Sequence, residues 1–252
     1  MLKKDLHFVY VTMDGGHNSA LREAAGYLKR DYDINMHLAL YSMPHLRDES
    51  DWARLERDIH AADFIYGCMI FGEEHVRPME RILDSVQTPT CFITSNPALI
   101  YRTRLGKLSL KPAPEGEEQG MFKRWMQRLR PKKSGKAEGH RQTQFIKNLT
   151  KYMKYMPGMM RDLHTFIAMH DYWIHSSPEN LKRQMLLLIE RYVPGYKGRL
   201  PVLDAIEYPD LALYHPDAPE IFSDIDRYRQ WRSQRGMPLS NGKPGAFVGS
   251  VG

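Results

Sequence analysis

A chain of 252 residues, 42% of them hydrophobic, can bury a substantial core in one large or two small domains. Its 36 Lys or Arg residues against 30 Asp or Glu residues give a formal net charge of +6. No apolar run approaches the roughly 18 residues of a transmembrane helix, so the sequence predicts no membrane span.

The positive charge is concentrated in one segment. Residues 121–147 hold nine Lys or Arg against one acid, Glu138, a net +8 that leaves −2 for the rest of the chain. No nucleic-acid-binding motif accompanies this segment, so the sequence predicts no nucleic-acid partner. Cys68 and Cys91 lie in apolar, strand-like runs, which favours buried reduced thiols and a cytoplasmic location.

Residues 1–110 alternate strand and helix patterns, as parallel α/β sheets require. In chain order the patterns predict a strand at 6–12, a helix from Asn18 or Ser19 to Leu28, a strand at 34–42, a helix at 48–62, a strand at 63–71, a helix at 74–86 and a strand at 88–95. Short links and right-handed crossovers favour a flavodoxin-like or Rossmann-like parallel sheet.

The pattern changes after residue 110. Residues 111–200 form a mainly helical region with a basic linker, either an insertion or a second subdomain, with helical spacing at 145–156, 163–174 and 181–192. The last helix begins with Ser177 as N-cap and Pro178 at its first position. Residues 201–235 predict a strand and a helix that return to the α/β domain, and 236–252 a linker and the start of a following domain.

Polar residues follow the predicted strands where a parallel sheet binds ligands. We expect Asp14, His17, Glu73, Glu74 and Asn96 to converge at this edge and contact a ligand or a partner subunit. The alternative is ordinary turn and helix-cap chemistry. The full G-x-G-x-x-G pattern is absent after the first strand, which disfavours a dinucleotide site.

The sequence of residues 122–130 predicts a short helix with an apolar face surrounded by basic side chains. This pattern is typical of a helix on an anionic membrane surface or against an acidic partner, and the alternative is a solvated surface helix. The residues predicted to form this surface are Lys123, Arg124, Trp125, Arg128 and Leu129. Peripheral membrane contact is therefore a prediction alongside the cytoplasmic location.

Eight of the fifteen methionines fall between Met121 and Met185, among several aromatic residues. Methionine adapts to irregular apolar shapes and aromatic faces stack on flat rings, so these helices could line a groove for a planar macrocycle through Tyr155 and Trp173. Packing in an ordinary core is the alternative. The sequence has no Walker-type phosphate loop, no clustered metal ligands and no nucleophile–base arrangement, so it predicts no catalytic residue and no metal site.

The chain resembles the large H subunit of magnesium chelatase. The residues that carry the resemblance are Trp173, Ser177, Glu179, Asn180, Arg191, Tyr192, Tyr214, His215 and Pro216, with two further segments at 65–78 and 98–110. That family's polypeptide is several times longer, and the resemblance covers its N-terminal region.

The resemblance implies a role in (bacterio)chlorophyll biosynthesis. It implies that the assembled enzyme, a ligase forming nitrogen–metal bonds, takes protoporphyrin IX and Mg²⁺ as substrates, with ATP-driven partner subunits supplying the work. The resemblance also implies that the residues credited with metal insertion lie beyond this chain. We therefore expect this chain to bind no cofactor of its own and to be inactive alone. The alternative is a stand-alone α/β binding or scaffold module without chelatase activity.

Overall fold

The computed structural model describes residues 3–110, 158–207, 211–215, 217–219, 221–222, 224–236 and 247–250. The chain divides into two compact units, Met1–Ala205 and Ile206–Gly252. The first unit contains an α/β sheet with helices on both faces, and the second contains a two-stranded sheet and a helix.

Six strands among the described residues form one mixed sheet, the main sheet, in the order β2-β1-β3-β4-β5-β6. Their bounds are β1 Asp5–Thr12, β2 Asn35–Ser42, β3 Phe64–Cys68, β4 Thr90–Ile93, β5 Arg104–Leu105 and β6 Leu108–Ser109. β1 pairs in parallel with β2 and β3, and β3 pairs in parallel with β4. β5 and β6 add a short antiparallel edge. The predicted α/β fold class is confirmed.

Helices cover both faces of the main sheet. Their bounds are α1 Asn18–Tyr32, α2 Glu49–Ala61, α3 Glu73–Asp84, α4 Pro97–Ile100, α5 Met159–Ile174 and α6 Pro178–Tyr192. Helices α1, α5 and α6 pack on one face, and α2 and α3 on the other. The helical region was predicted to be either an insertion or a second subdomain. Its described helices, α5 and α6, belong to the same compact unit as the main sheet.

Alternation along β1 explains the two cores. Leu6, Phe8 and Tyr10 enter the core beneath α1, α5 and α6, whereas Val9 and Val11 enter the core beneath α2 and α3. Successive side chains of a strand point to opposite faces, so a strand covered on both sides must be apolar almost throughout. That pattern made the parallel strands predictable.

The helix starts confirm one predicted cap and correct the other. Ser177 accepts a hydrogen bond from the Asn180 N–H, with Pro178 at the first helical position, as predicted. The N-cap of α1 is instead His17, and no side chain caps it. Asn18 and Ser19 fall inside the helix because the Asn18 N–H already bonds the Gly15 carbonyl, which starts the turn one residue earlier.

The second unit holds β7 Leu211–Tyr214, α7 Ile225–Gln234 and β8 Phe247–Ser250. The predicted strand near the end of the chain is confirmed as β8. The prediction that residues 201–235 return to the main sheet is corrected, because β7 pairs antiparallel with β8 in a separate sheet. A four-residue strand offers few backbone hydrogen bonds, and its sequence does not specify which strand it joins.

Within the described ranges, every helix is too short or too polar to cross a lipid bilayer.

Candidate functional site

The carboxyl edge of the main sheet has its topological switch point between β1 and β3, since β2 lies on one side of β1 and β3 on the other. In open α/β sheets ligands bind in the crevice at this point. Here Trp173, from the last turn of α5, fills that crevice. Its ring centroid lies 4.8 Å from Tyr66 on β3, 6.3 Å from Tyr10 on β1 and 4.3 Å from His17 in the loop after β1.

Two residues predicted for different surfaces therefore meet. His17 was predicted at the polar strand ends and Trp173 on a macrocycle-facing helix, and their rings make an edge contact. Trp173 is only 8% exposed, which favours the core alternative for this residue. Burial lowers the pKa of His17, and the charge of Asp14 opposes that shift.

The other predicted edge residues make local contacts. Asp14 accepts a hydrogen bond from the Gly16 N–H at 2.8 Å, and Asn96 caps α4 by accepting from the Ala98 N–H at 3.0 Å. Glu73 pairs with Arg77 at 2.6 Å, and the exposed Glu74 lies 3.8 Å from the His75 imidazole. These contacts are turn, cap and surface ion-pair chemistry, and the predicted role in ligand or partner contact stays a prediction.

Strained backbone marks the same edge at β3 and β4. Met69 and Thr94, the residues after these strands, have φ angles of 60° and 45°, in the left-handed region that non-glycine residues rarely adopt. The Met69 N–H donates to the Thr94 carbonyl at 3.1 Å, which joins the two strand exits. Met69 and Phe71 are 45% and 48% exposed, so the carboxyl edge of the main sheet exposes apolar side chains as well as acidic ones. Sequence analysis missed this feature because no residue type there signals a positive φ.

Buried polar groups lie near Tyr10 and Tyr66, the two tyrosines whose rings contact Trp173. The Tyr10 hydroxyl donates to Gln184 Oε1 on α6 at 3.0 Å. Cys68 and Cys91 are free and buried, in agreement with the predicted reduced thiols. Burial raises the pKa of the Cys68 thiol to about 12 and that of Cys91 still further, so both are protonated at neutral pH.

The helix pair α5–α6 fixes Trp173 in place. Buried Asp162 on α5 accepts from the Lys107 N–H at 2.8 Å and from the Tyr192 hydroxyl at 3.1 Å. Arg191 on α6 donates to the Arg161 carbonyl at 3.0 Å and to the Thr165 hydroxyl. These contacts join α6, α5 and the β5–β6 turn.

The second unit has its own aromatic cluster. Trp231 of α7 lies with its ring centroid 5.0 Å from His215 and 5.5 Å from Phe222, and Tyr228 packs against both Phe222 and Trp231. These ring contacts, one of them stacked and the others tilted or edge-on, hold α7 against the residues that follow β7.

Tyr155 and the basic-surface residues Lys123, Arg124, Trp125, Arg128 and Leu129 lie outside the described residues. Their predicted roles stay predictions.

Comparison with protein families assigns both parts of the chain. The model described as "Domain of unknown function (DUF3479)" matches residues 7–167, more than half of the chain. The chain belongs to the DUF3479 family. The model described as "CobN/Magnesium Chelatase" matches residues 170–247.

Curated relatives of this DUF3479 member are magnesium-chelatase subunits. The chloroplastic magnesium-chelatase protein ChlH of Oryza sativa subsp. indica is 25% identical over 232 residues, 90% of this chain and 16% of the rice protein. The H subunit of Cereibacter sphaeroides is 24% identical over 83% of this chain, and that of Chlorobaculum parvum 23% identical over 75%. The resemblance to the N-terminal region of H subunits is thus confirmed, and the chain spans about a sixth of these relatives' length.

Among solved structures, the catalytic subunit of cobaltochelatase from Mycobacterium tuberculosis matches 86% of this chain and 12% of its own, with a TM-score of 0.42 and 11% identity.

The residues that carry the resemblance are mostly the contacts of the α5–α6 pair. Trp173 fills the crevice, and Ser177 caps α6. The Asn180 side chain donates to the His175 carbonyl at 2.7 Å, closing the turn between the helices. Arg191 and Tyr192 bond α5. In this DUF3479 chain the residues that carry the resemblance therefore hold α5 and α6 together and place them over the main sheet.

Proposed function

We propose that this chain forms the N-terminal portion of the porphyrin-binding H subunit of magnesium chelatase, which inserts Mg²⁺ into protoporphyrin IX with ATP-driven partner subunits in (bacterio)chlorophyll biosynthesis. One observation carries the proposal: 90% of the chain aligns with a magnesium-chelatase subunit, while covering only 16% of it. A portion of that size contributes to an assembly whose reaction centre is built elsewhere.

Within that assembly we assign this portion a contact role rather than a chemical one. The switch-point crevice, where an α/β sheet would bind a small ligand, holds the Trp173 indole. Exposed acidic groups and the apolar side chains of Met69 and Phe71 lie around it. A surface with apolar side chains rimmed by charges suits a protein partner. Asp14, His17, Glu73, Glu74 and Asn96 are the proposed contacts.

Porphyrin contact remains a separate proposal, for Tyr155 and the helices around Trp173. The apolar character of α5 supports it, since Ile174, next to Trp173, is 54% exposed. Burial of Trp173 itself supports a packing role for that side chain. A visible-absorbance titration of the purified chain with protoporphyrin IX tests whether this portion binds the macrocycle alone.

Peripheral membrane contact is proposed for the basic segment alone. Attraction between exposed charges is screened over about 8 Å at physiological ionic strength, so binding to anionic vesicles should weaken steeply with added salt. Trp125→Ala with Leu129→Ala should weaken it further by removing the apolar face. Binding unaffected by both treatments would leave a solvated surface helix.

A hybrid protein tests the main proposal. The matching region of the Cereibacter sphaeroides H subunit is replaced by this chain, and magnesium-porphyrin formation is assayed with its partner subunits, ATP, Mg²⁺ and protoporphyrin IX. We expect the hybrid to recover activity that a protein lacking this region has lost. A hybrid that folds yet remains as inactive as the truncated protein would favour the stand-alone module. The genomic context separates the same alternatives, because an in-frame continuation of the reading frame supports a portion of a larger protein.

A further inference from the structure

A cavity of about 360 Å³ lies beside the crevice, at the carboxyl end of β2. Its walls come from the loop after β1 and the start of α1, from the end of β2, and from the side of α2 that carries Arg54 and Asp58. It is lined by Gly15 and by the polar residues Asn18, Tyr41, Ser42, His45, Arg54 and Asp58. The contacts described above leave this cavity unused.

The start of α1 opens onto this cavity through Gly15 and Asn18. The helix has 15 residues, no side chain caps its first turn, and that turn contains no acidic residue. Uncapped first-turn N–H groups and the helix dipole give such an end a partial positive charge, which favours anions. The nearby Asp14 carboxylate is held by the Gly16 N–H.

Ser42 is the independent observation that indicates a ligand. It is the last residue of β2, it is only 9% exposed, and it lines the cavity. Among the contacts of the described residues its hydroxyl has no hydrogen-bond partner, in contrast to the other buried strand-end hydroxyls of Thr12 and Ser95, which do. Because this hydroxyl opens onto the cavity, the oxygen of a ligand bound there would be its hydrogen-bond acceptor.

The side chains of Asn18 and Ser42 lie on either side of the space next to the Gly15 backbone. A Cβ on Gly15 would lie 3.0 Å from Asn18 Nδ2 and 3.5 Å from Ser42 Oγ. The glycine thus leaves space that any side chain would fill, between one side-chain donor at the start of α1 and another at the end of β2.

Charge at the outer wall complements an anion. Arg54 on α2 contributes a guanidinium that also pairs with Asp51 at 2.9 Å, and His45 adds an imidazole. The one carboxylate in the wall, Asp58, accepts a hydrogen bond from the Tyr41 hydroxyl at 2.5 Å. The donors come from three separate elements, since Asn18 belongs to α1, Ser42 to β2 and Arg54 to α2, which suits an oxyanion with several acceptor oxygens.

We propose that this cavity is a phosphate site, formed by the start of α1, Ser42 and Asn18. Its volume exceeds that of a free phosphate ion, which leaves space for the organic part of a phosphomonoester against Leu40 and Leu46. The site is independent of the proposed chelatase role.

The test is a titration of the full chain with inorganic phosphate, and in parallel with glycerol 3-phosphate, in a phosphate-free buffer. Amide shifts of Gly15, Asn18 and Ser42 are followed by NMR, with affinity measured by calorimetry. We expect saturable shifts at these amides. Tighter binding of glycerol 3-phosphate would identify a monoester as the ligand, and equal binding would identify free phosphate; both support the site.

Three variants locate the site. Ser42→Ala should weaken phosphate binding about tenfold, the size of one hydrogen bond to a charged group. Asn18→Asp should weaken it at least as much, since it places a carboxylate at the helix start. Gly15→Ala inserts a methyl group into the space between Asn18 and Ser42 without needing a positive φ, and provides a third measurement if another variant fails to fold.

Gln87→Glu is the matched control, because it makes the same amide-to-carboxylate change as Asn18→Asp at an exposed position before β4, at the opposite end of the sheet. It should leave affinity within about twofold of the wild type, as expected for a remote, screened charge. The proposal is overturned if the wild-type amides show no saturable shift, or if Gln87→Glu weakens binding as much as Asn18→Asp does.

Discussion

At the residue scale, Trp173 connects both parallel strands at the switch point with the loop after β1. Its indole contacts Tyr10, Tyr66 and His17, so one side chain from α5 closes a crevice that the fold would otherwise leave open. An aromatic ring in this place contributes burial and also restricts the position of the β1–α1 loop.

Replacement of Trp173 separates packing from porphyrin binding. Because the ring is buried, Trp173→Ala should lower the free energy of unfolding by about 3 to 5 kcal/mol. Tyr101→Ala, at a 42% exposed aromatic, is the control and should cost much less. Thermal melting and protoporphyrin titration are measured on the same samples. Unchanged stability with weaker porphyrin binding would contradict the packing role.

His17 should make stability depend on pH. Its pKa is lowered by burial, with Asp14 opposing, so the unfolded chain binds this proton at higher pH than the folded chain does. The contribution of neutral His17 to stability is therefore complete above about pH 6.5 and is lost as the pH falls toward the folded pKa.

We expect His17→Gln to reduce the loss of stability between about pH 7 and about pH 5, measured by urea unfolding. His60→Gln, at an exposed position of α2, is the matched control and should leave the pH profile unchanged. A wild-type profile identical to that of His17→Gln would refute the assignment.

At the element scale, the α5–α6 pair is held to the sheet edge by one buried carboxylate. Asp162 bonds the Lys107 N–H and the Tyr192 hydroxyl, and its side chain leaves no room for a Cβ at Gly106, which would lie 2.5 Å from Asp162 Oδ2. Gly106 also has a φ of 58°. Glycine at position 106 therefore suits the turn in two ways, since it adopts the positive φ and leaves space for the Asp162 carboxylate.

Loss of Asp162 should separate these elements. Asp162→Ala leaves the part-buried Lys107 amide and Tyr192 hydroxyl without their acceptor, so we expect the free energy of unfolding to fall by about 1 to 3 kcal/mol. Asp171→Ala, at an exposed position of the same helix, should change it by about 0.5 kcal/mol or less. Hydrogen exchange of the Lys107 amide should speed up only in the first variant. Equal effects of the two substitutions would show that the carboxylate does not join these elements.

At the scale of the whole molecule, the elements followed from sequence patterns and their assembly did not. Burial on both faces makes β1, β3 and β4 apolar runs, whereas β2 at the edge of the sheet is only partly buried. Ser177 with Pro178 marks the start of α6. No spacing rule relates His17 to Trp173, because their contact depends on how α5 crosses the sheet. The positive φ of Met69 and Thr94 and the pairing of β7 with β8 likewise depend on tertiary contacts.

The size of the chain relative to its relatives leads to the last prediction. It covers 16% of the rice protein and 18% of the Cereibacter sphaeroides protein, and its sequence lacks the phosphate-loop pattern of an ATP-hydrolysing motor. We therefore expect the chain alone, mixed with the partner subunits, ATP, Mg²⁺ and protoporphyrin IX, to form no magnesium porphyrin above a no-protein blank. The full-length H subunit of Cereibacter sphaeroides serves as the positive control under the same conditions. Magnesium porphyrin accumulating with this chain as the sole porphyrin-binding component would place a complete insertion site within these 252 residues and overturn the contact role assigned to them.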